Sequence, residues 1–224
     1  MDKIKKFKFA LLGIVVVALC GAGVAFAVSS QDSGSDVPVD PSIQINVDEN
    51  LSAAALEQIS HFSTLNEPTD ENIAALPVTD QQWIRYGLSH VEGAKPATVS
   101  SVGLERTELG NDVLVFTSAD QICVYATRDQ ELLNGTCSAL DKATSGGVYV
   151  TGEYRGGPDF YVVGVVPDDV QTVAASPKSA GTINLTGNVY EGVVAPENIV
   201  IEGMSDAGDA ITKTSVPLKM FAGG

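Results

Sequence analysis

Histidine, cysteine and basic side chains are scarce in this chain, and each shortage removes a class of chemistry. Among 224 residues there are two histidines, His61 and His90, too far apart to form an H-E-x-x-H metal pair on one helix. Three cysteines, Cys20, Cys123 and Cys137, are too few for the dense disulfide framework of small secreted scaffolds, and none stands in C-x-x-C spacing. Thirteen Lys and Arg face 28 Asp and Glu, a formal net charge of −15. Such a surface repels phosphate backbones, which argues against nucleic acid as a partner. Calcium loops fare no better. Asp48-Glu49-Asn50 and Asp206-Ala207-Gly208-Asp209 have suitable composition, but the twelfth position counted from Asp206 is Pro217, where an EF-hand loop needs Glu. The sequence therefore implies no metal and no cofactor.

What is present begins with location. A 20-residue apolar run, Phe9 to Val28, follows Lys3, Lys5, Lys6 and Lys8. As a helix it spans about 30 Å, the thickness of a hydrocarbon core. Its eleven Leu, Ile, Val or Phe residues favour insertion by about 3–7 kcal/mol. The lysines place the N-terminus in the cytoplasm and the body outside. The run is longer than a signal-peptide h-region, so the expectation is an uncleaved single-pass anchor. The alternative is cleavage near Ala27, because Ala25-Phe26-Ala27 has the small-x-small form of a processing site. Cys20 is a poor lipidation site, with the bulky Leu19 directly before it.

Behind the anchor, composition divides the chain. The expected organisation is a stub and anchor over 1–28, an acidic linker over 29–49, a helical zone over 50–94 and an extracytoplasmic β domain over 95–224. The linker begins Ser29-Ser30-Gln31-Asp32 and lacks aromatics. In the helical zone, Leu51, Ala54, Ala55, Gln58, Ile59 and Phe62 fall near one face. A second stretch runs from Asp70 to Leu76 and is closed by Pro77. A third follows Thr79, where Thr79 and Gln82 form a T-x-x-Q capping box and Gly87 and Gly93 mark its end.

After Lys95 the period falls from 3.6 to 2. Nine short apolar runs read as strands, among them Val113–Phe116, Ile122–Tyr125 and Phe160–Val166. Turn chemistry separates them at Gly110-Asn111-Asp112, Asn134-Gly135, Gly146-Gly147, Gly156-Gly157-Pro158 and Gly187-Asn188. Asn134-Gly135 gives the strongest hairpin signal, since a type I′ turn needs positive φ at both central residues. The fold class is mainly β, a sandwich or barrel-like domain with a small N-terminal helical zone. Cys123 and Cys137, outside the membrane and 14 positions apart, are expected to pair as a structural staple.

Four segments carry a resemblance: Ile122-Cys123-Val124-Tyr125, Cys137, Gly164-Val165-Val166-Pro167-Asp168-Asp169-Val170 and Gly187-Asn188-Val189-Tyr190. In that order the chain resembles small exported proteins of actinobacteria that carry two cysteines behind a single N-terminal membrane segment. The similarity runs from about Val99 to Tyr190, and Asp169 stands where that pattern has a small residue. The resemblance implies an exported β domain. That group has no assigned activity.

Two catalytic patterns are incomplete. Gly203-Met204-Ser205-Asp206-Ala207 partly matches the G-x-S-x-G nucleophile elbow, yet Ala210 to Val216 alternates like a strand and both histidines precede the serine. Leu133-Asn134-Gly135-Thr136-Cys137, with His90 upstream and Arg155 downstream, resembles the site of a sortase-like thiol transpeptidase, with one residue too many between Leu and Thr. Leu76-Pro77-Val78-Thr79-Asp80 resembles the substrate motif of those enzymes with Asp in place of Gly, and reads as a helix start with Thr79 as N-cap. The expected function is a non-enzymatic envelope module that binds another protein or a cell-wall component; the alternatives are that transpeptidase or a secreted hydrolase without a readable motif. The candidate contact loop is Gly156-Gly157-Pro158-Asp159, with Tyr154, Arg155, Phe160 and Tyr161 around it. Its competing reading is a tight turn whose aromatics belong to the core.

Overall fold

The computed structural model describes residues 44–47, 51–65, 70–90, 98–129 and 131–218. The expected anchor over Phe9–Val28 lies outside the described residues. Among those described, no helix is long and apolar enough to cross a membrane.

The chain begins with β1 (Asn46–Val47), α1 (Ala53–Ile59), α2 (Asp70–Ala75) and α3 (Val78–His90). The strands β2 (Thr98–Val99), β3 (Ser101–Arg106), β4 (Asp112–Ser118), β5 (Gln121–Arg128) and β6 (Glu131–Ala139) follow, then α4 (Leu140–Ala143). Next come β7 (Tyr149–Glu153), β8 (Phe160–Val165), β9 (Thr172–Ser176), β10 (Gly181–Thr186), β11 (Val189–Val194), β12 (Asn198–Met204) and β13 (Ala210–Pro217). Three antiparallel sheets result, in strand orders β3-β4-β5-β6, β10-β11-β8-β7 and β13-β12-β9, and β1 pairs with β2 in parallel. The protein is mainly β, as its sequence implies. β1 falls inside the stretch read as linker, so that stretch is not linker throughout.

The layers follow from side-chain alternation. On β4 and β5, Val113, Val115, Ile122, Val124 and Ala126 share a core with Val150, Tyr161, Val163, Val165 and Val189 of the second sheet. The opposite face of the first sheet carries Leu114, Phe116, Cys123 and Tyr125, which pack with Ile73, Trp83, Ile84 and Leu88 of α2 and α3. The second sheet also has two buried faces. Phe160, Val162, Tyr190 and Val194 point away from the first sheet into a third core with Val173, Ala175, Ile199, Ile201 and Val216 of the last sheet. Central strands are thus covered on both sides, which is why Val113–Phe116 and Phe160–Val166 read as continuous apolar runs. The last sheet has one covered face, and β12 and β13 alternate accordingly. Each fully buried Val or Ile contributes about 1.5–3 kcal/mol. The helical zone joins these cores: Phe62 and Leu65, just beyond α1, sit between the first two sheets.

Cys123 and Cys137 face each other on β5 and β6 and form a disulfide, with Cα atoms 4.0 Å apart. The expected turn at Asn134-Gly135 does not exist. Both residues lie within β6, and the chain reverses between Arg128 and Glu131, which pair across the hairpin. Asp129 takes the positive φ there, at 51°. Gly135 is needed for another reason: it pairs with Tyr125, whose ring lies where a Cβ would stand. The same cross-strand arrangement recurs as Tyr161 over Gly152 and Tyr190 over Gly164. Gly87, expected to end a helix, is inside α3 and lets it close onto Phe116. α3 starts at Val78, with Pro77 O accepting from Gln81 N at 3.1 Å, two residues earlier than a Thr79 cap implies.

Candidate functional site

Strands β7 and β8 pair from Tyr149 to Glu153 and from Phe160 to Gly164, leaving Tyr154 to Asp159 as the connecting loop. Tyr154 N donates to Asp159 O at 2.8 Å and Gly157 N donates to Tyr154 O at 3.0 Å, so the backbone is a closed turn. Arg155 and Gly156 both have positive φ, 53° and 66°. Residues 155–159 are exposed.

The four residues singled out in the sequence are divided by this turn. Phe160 is 5 % exposed and belongs to the core against the last sheet. Tyr161 is 4 % exposed and belongs to the core against the first. Neither presents a surface to a partner. Alternation along β8 sends them to opposite faces, and for these two the tight-turn reading holds. Burial pushes the Tyr161 phenol well above its ordinary range, against the lowering influence of Arg128. Tyr154 is half-buried at the rim of the same core, and Arg155 is exposed.

The structure adds an arginine that linear pattern did not mark. Arg128, at the end of β5, places its guanidinium carbon 5.6 Å from the centre of the Tyr154 ring. Arg155 places its own at 5.1 Å. Two cations converge on one phenol in a strongly acidic protein. Contacts of this kind are worth about 0.5–1 kcal/mol each at exposed sites.

Arg128 is held from behind. Its Nε donates to Asn111 Oδ1 at 2.8 Å, and Asn111 Nδ2 donates to Glu191 Oε2 at 2.7 Å. The other Glu191 oxygen accepts from Leu109 N at 2.8 Å. Asn111 and Glu191 are both buried. Asn111 sits at the end of a loop closed by Thr107, whose amide and hydroxyl donate to Asn111 O. Glu191 interrupts the apolar run of β11, and that lone acid was the signal available in the sequence. The partners it finds, 80 residues or more away, were not.

A second polar cluster unites two segments of the two-cysteine pattern. Asn188, buried in the β10–β11 turn, donates from Nδ2 to Val166 O at 3.0 Å and to Asp168 Oδ1 at 2.8 Å. Its Oδ1 accepts from Thr64 N and Thr64 Oγ1, both at 2.9 Å, and from Ser63 Oγ at 3.2 Å. Ser63 N and Oγ also donate to Asp168 Oδ1, at 2.9 and 2.8 Å. Partial burial of Asp168 raises its pKa. The hydrogen bonds from Ser63 and Asn188, with His61 nearby, outweigh that and hold the carboxyl below its ordinary value. This cluster ties the end of α1 to the second sheet.

Other candidate chemistry is dispersed. Cys137 is in the disulfide, so that bond leaves no thiolate for acyl transfer. Leu133–Cys137 lies along β6, and His90 ends α3. Ser205 occupies a hairpin turn between β12 and β13, where its amide donates to Asp209 O at 2.9 Å and its hydroxyl accepts from Asp209 N at 3.2 Å. Among the described residues, no three His, Cys, Asp or Glu side chains are grouped to hold a metal ion. An open cleft of about 310 Å³ lies between β1 and the α2–α3 pair, lined by Ile45, Asn46, Ile73, Gln81 and Arg85. Comparison with family models, with curated proteins and with solved structures finds no match to this chain.

Proposed function

We propose that this protein is a non-enzymatic module of the cell envelope, anchored through Phe9–Val28 with its body outside the membrane. It captures a protein or a wall component through the β7–β8 loop. One observation carries this reading: Tyr154 is held at the rim of a core between Arg128 and Arg155, beside five exposed loop residues. Tyr and Arg are the residue types that dominate binding hot spots, and a rigid aromatic on a closed turn loses little entropy on binding. The resemblance to exported two-cysteine proteins supports the location.

Crosslinking in intact envelopes, with the full chain as bait, tests the proposal. Replacing Tyr154 and Arg155 together by Ala is expected to abolish the crosslinked species while the chain still folds, melting a few degrees lower because Tyr154 packs at the rim of the core. Undiminished crosslinking in that variant would remove the loop as the site. A new N-terminus at Val28, read by mass spectrometry of the mature protein, would replace anchoring with release.

A further inference from the structure

We infer that Arg128, Tyr154 and Arg155 form a preorganised receptor for a carboxylate carried by a protein partner. This rests on the β7–β8 loop being the recognition surface and names what that surface recognises.

Four observations converge. Both guanidinium carbons lie close to one ring centre, at 5.6 and 5.1 Å, and a guanidinium over a ring, even with its Nε bonded as in Arg128, still has terminal N–H groups to offer a carboxylate. Among the described residues, the ion pairs are Arg106–Asp112 and Lys213–Glu202, so neither Arg128 nor Arg155 is already paired with an acid. Arg128 cannot drift, because Asn111 is fixed in turn by buried Glu191. Fixing an arginine through a buried amide and a buried acid is the support that recognition needs and that a solvated surface charge does not. Finally, Arg155 stands at φ 53° followed by Gly156 at 66°. Two successive positive-φ positions favour Asn-Gly or Gly-Gly, and a side chain with a Cβ is disfavoured at the first. Among the described residues, the other non-glycine positions with positive φ are Asp129, a type that tolerates it, and Ala119 on a different hairpin. Arg155 is a poor choice for the turn and a good one for an anion.

The surroundings select among anions. Asp129, Glu153 and Asp159 flank the arginines in sequence and are exposed. With an acid next to each arginine in sequence, a chain of many negative charges is disfavoured. A lone carboxylate flanked by cationic groups satisfies the centre and the rim together. The inferred occupant is therefore a peptide segment with one acidic residue between basic ones.

The test uses the full chain in detergent and fluorescence anisotropy of a labelled peptide, acetyl-Gly-Lys-Glu-Lys-Gly-amide, against its analogue with Gln for Glu. The Glu peptide is expected to bind at least tenfold more tightly. Arg128→Gln and Arg155→Gly should each weaken it at least tenfold, the loss typical of one charge-assisted hydrogen bond. Equal binding of the two peptides overturns the inference. So does displacement of the Glu peptide by inorganic tripolyphosphate at equal concentration. If crosslinking still depends on Tyr154 while both peptides bind alike, the carboxylate assignment falls and the loop remains the contact surface. If neither responds, both fall.

Discussion

Two polar chains, each built on a buried Asn, join distant parts of this molecule, and they end differently. In the Asp168–Asn188 cluster, each polar atom of the Asn188 side chain is spent on the protein itself, on Val166, Asp168, Ser63 and Thr64. The chain from Glu191 through Asn111 closes on the protein at one end only; at the other it delivers Arg128 to the rim beside Tyr154. The same chemistry, a buried amide oriented by a carboxylate, serves as a fastener in one place and as a support in the other. What separates them is whether the last donor is consumed or left for something outside.

That contrast can be broken by experiment. The largest effect should come from a change that touches neither chain. Replacing both Cys123 and Cys137 by Ala removes a bridge over 14 positions and should lower stability by about 3 kcal/mol in urea titration. Crosslinking through the loop should persist, since Arg128 is placed by the hairpin register and by Asn111. Ready alkylation of both thiols in the exported, unreduced protein would contradict the bridge itself.

Asn188→Ala comes next. It leaves Thr64 and Val166 without their buried partner and should cost about 2–3 kcal/mol in the same titration, with capture intact. Asn111→Ala should cost about as much, roughly 2–3 kcal/mol, because it takes a hydrogen bond from the buried Glu191 carboxylate, and it should also weaken capture, because Arg128 loses its orienting acceptor. Equal effects of the two Asn variants on capture would erase the distinction between fastener and support.

The smallest effect is in acid. Hydrogen bonding holds the Asp168 carboxyl below its ordinary value of 3.8. A depressed acid contributes stability that is fully present above that value and lost as pH falls through the lower folded one. Asp168→Asn should therefore narrow the difference in urea midpoint between pH 3 and pH 7. Asp80 acts in the opposite sense, because burial, with Asp112 adding to it, raises its pKa and penalises its ionised form as pH rises above 3.8. Measuring the Asp168 variant beside Asp80→Asn separates the two; an unchanged acid limb in both would mean that neither carboxyl governs it.

The patterns that could be read directly were those set by local chemistry. Each of the nine apolar runs overlaps a strand, because burial of a pleated surface imposes its period on the residues themselves. The cysteine pair was legible because few alternatives existed. β6 was not, since Asn134-Gly135 carries a turn signature that the Tyr125 ring overrides from the neighbouring strand. Phe160 and Tyr161 looked like loop aromatics because they adjoin Gly157-Pro158-Asp159. Their burial depends on a second sheet having cores on both faces, which no local window contains.

By itself, then, the amino-acid order determined a β protein with a helical entry, its cysteine bridge and its acidic character, all properties of composition and short-range period. Tertiary structure decided which residues meet. Glu191, Asn111, Arg128 and Tyr154 come from four separate segments; Asn111 and Arg128 meet across the β4–β5 pair, and their contacts to Glu191 and Tyr154 arise only when the first two sheets close on one another. Such contacts depend on register and layer order, and those are set by the packing of whole faces rather than by any neighbouring residue.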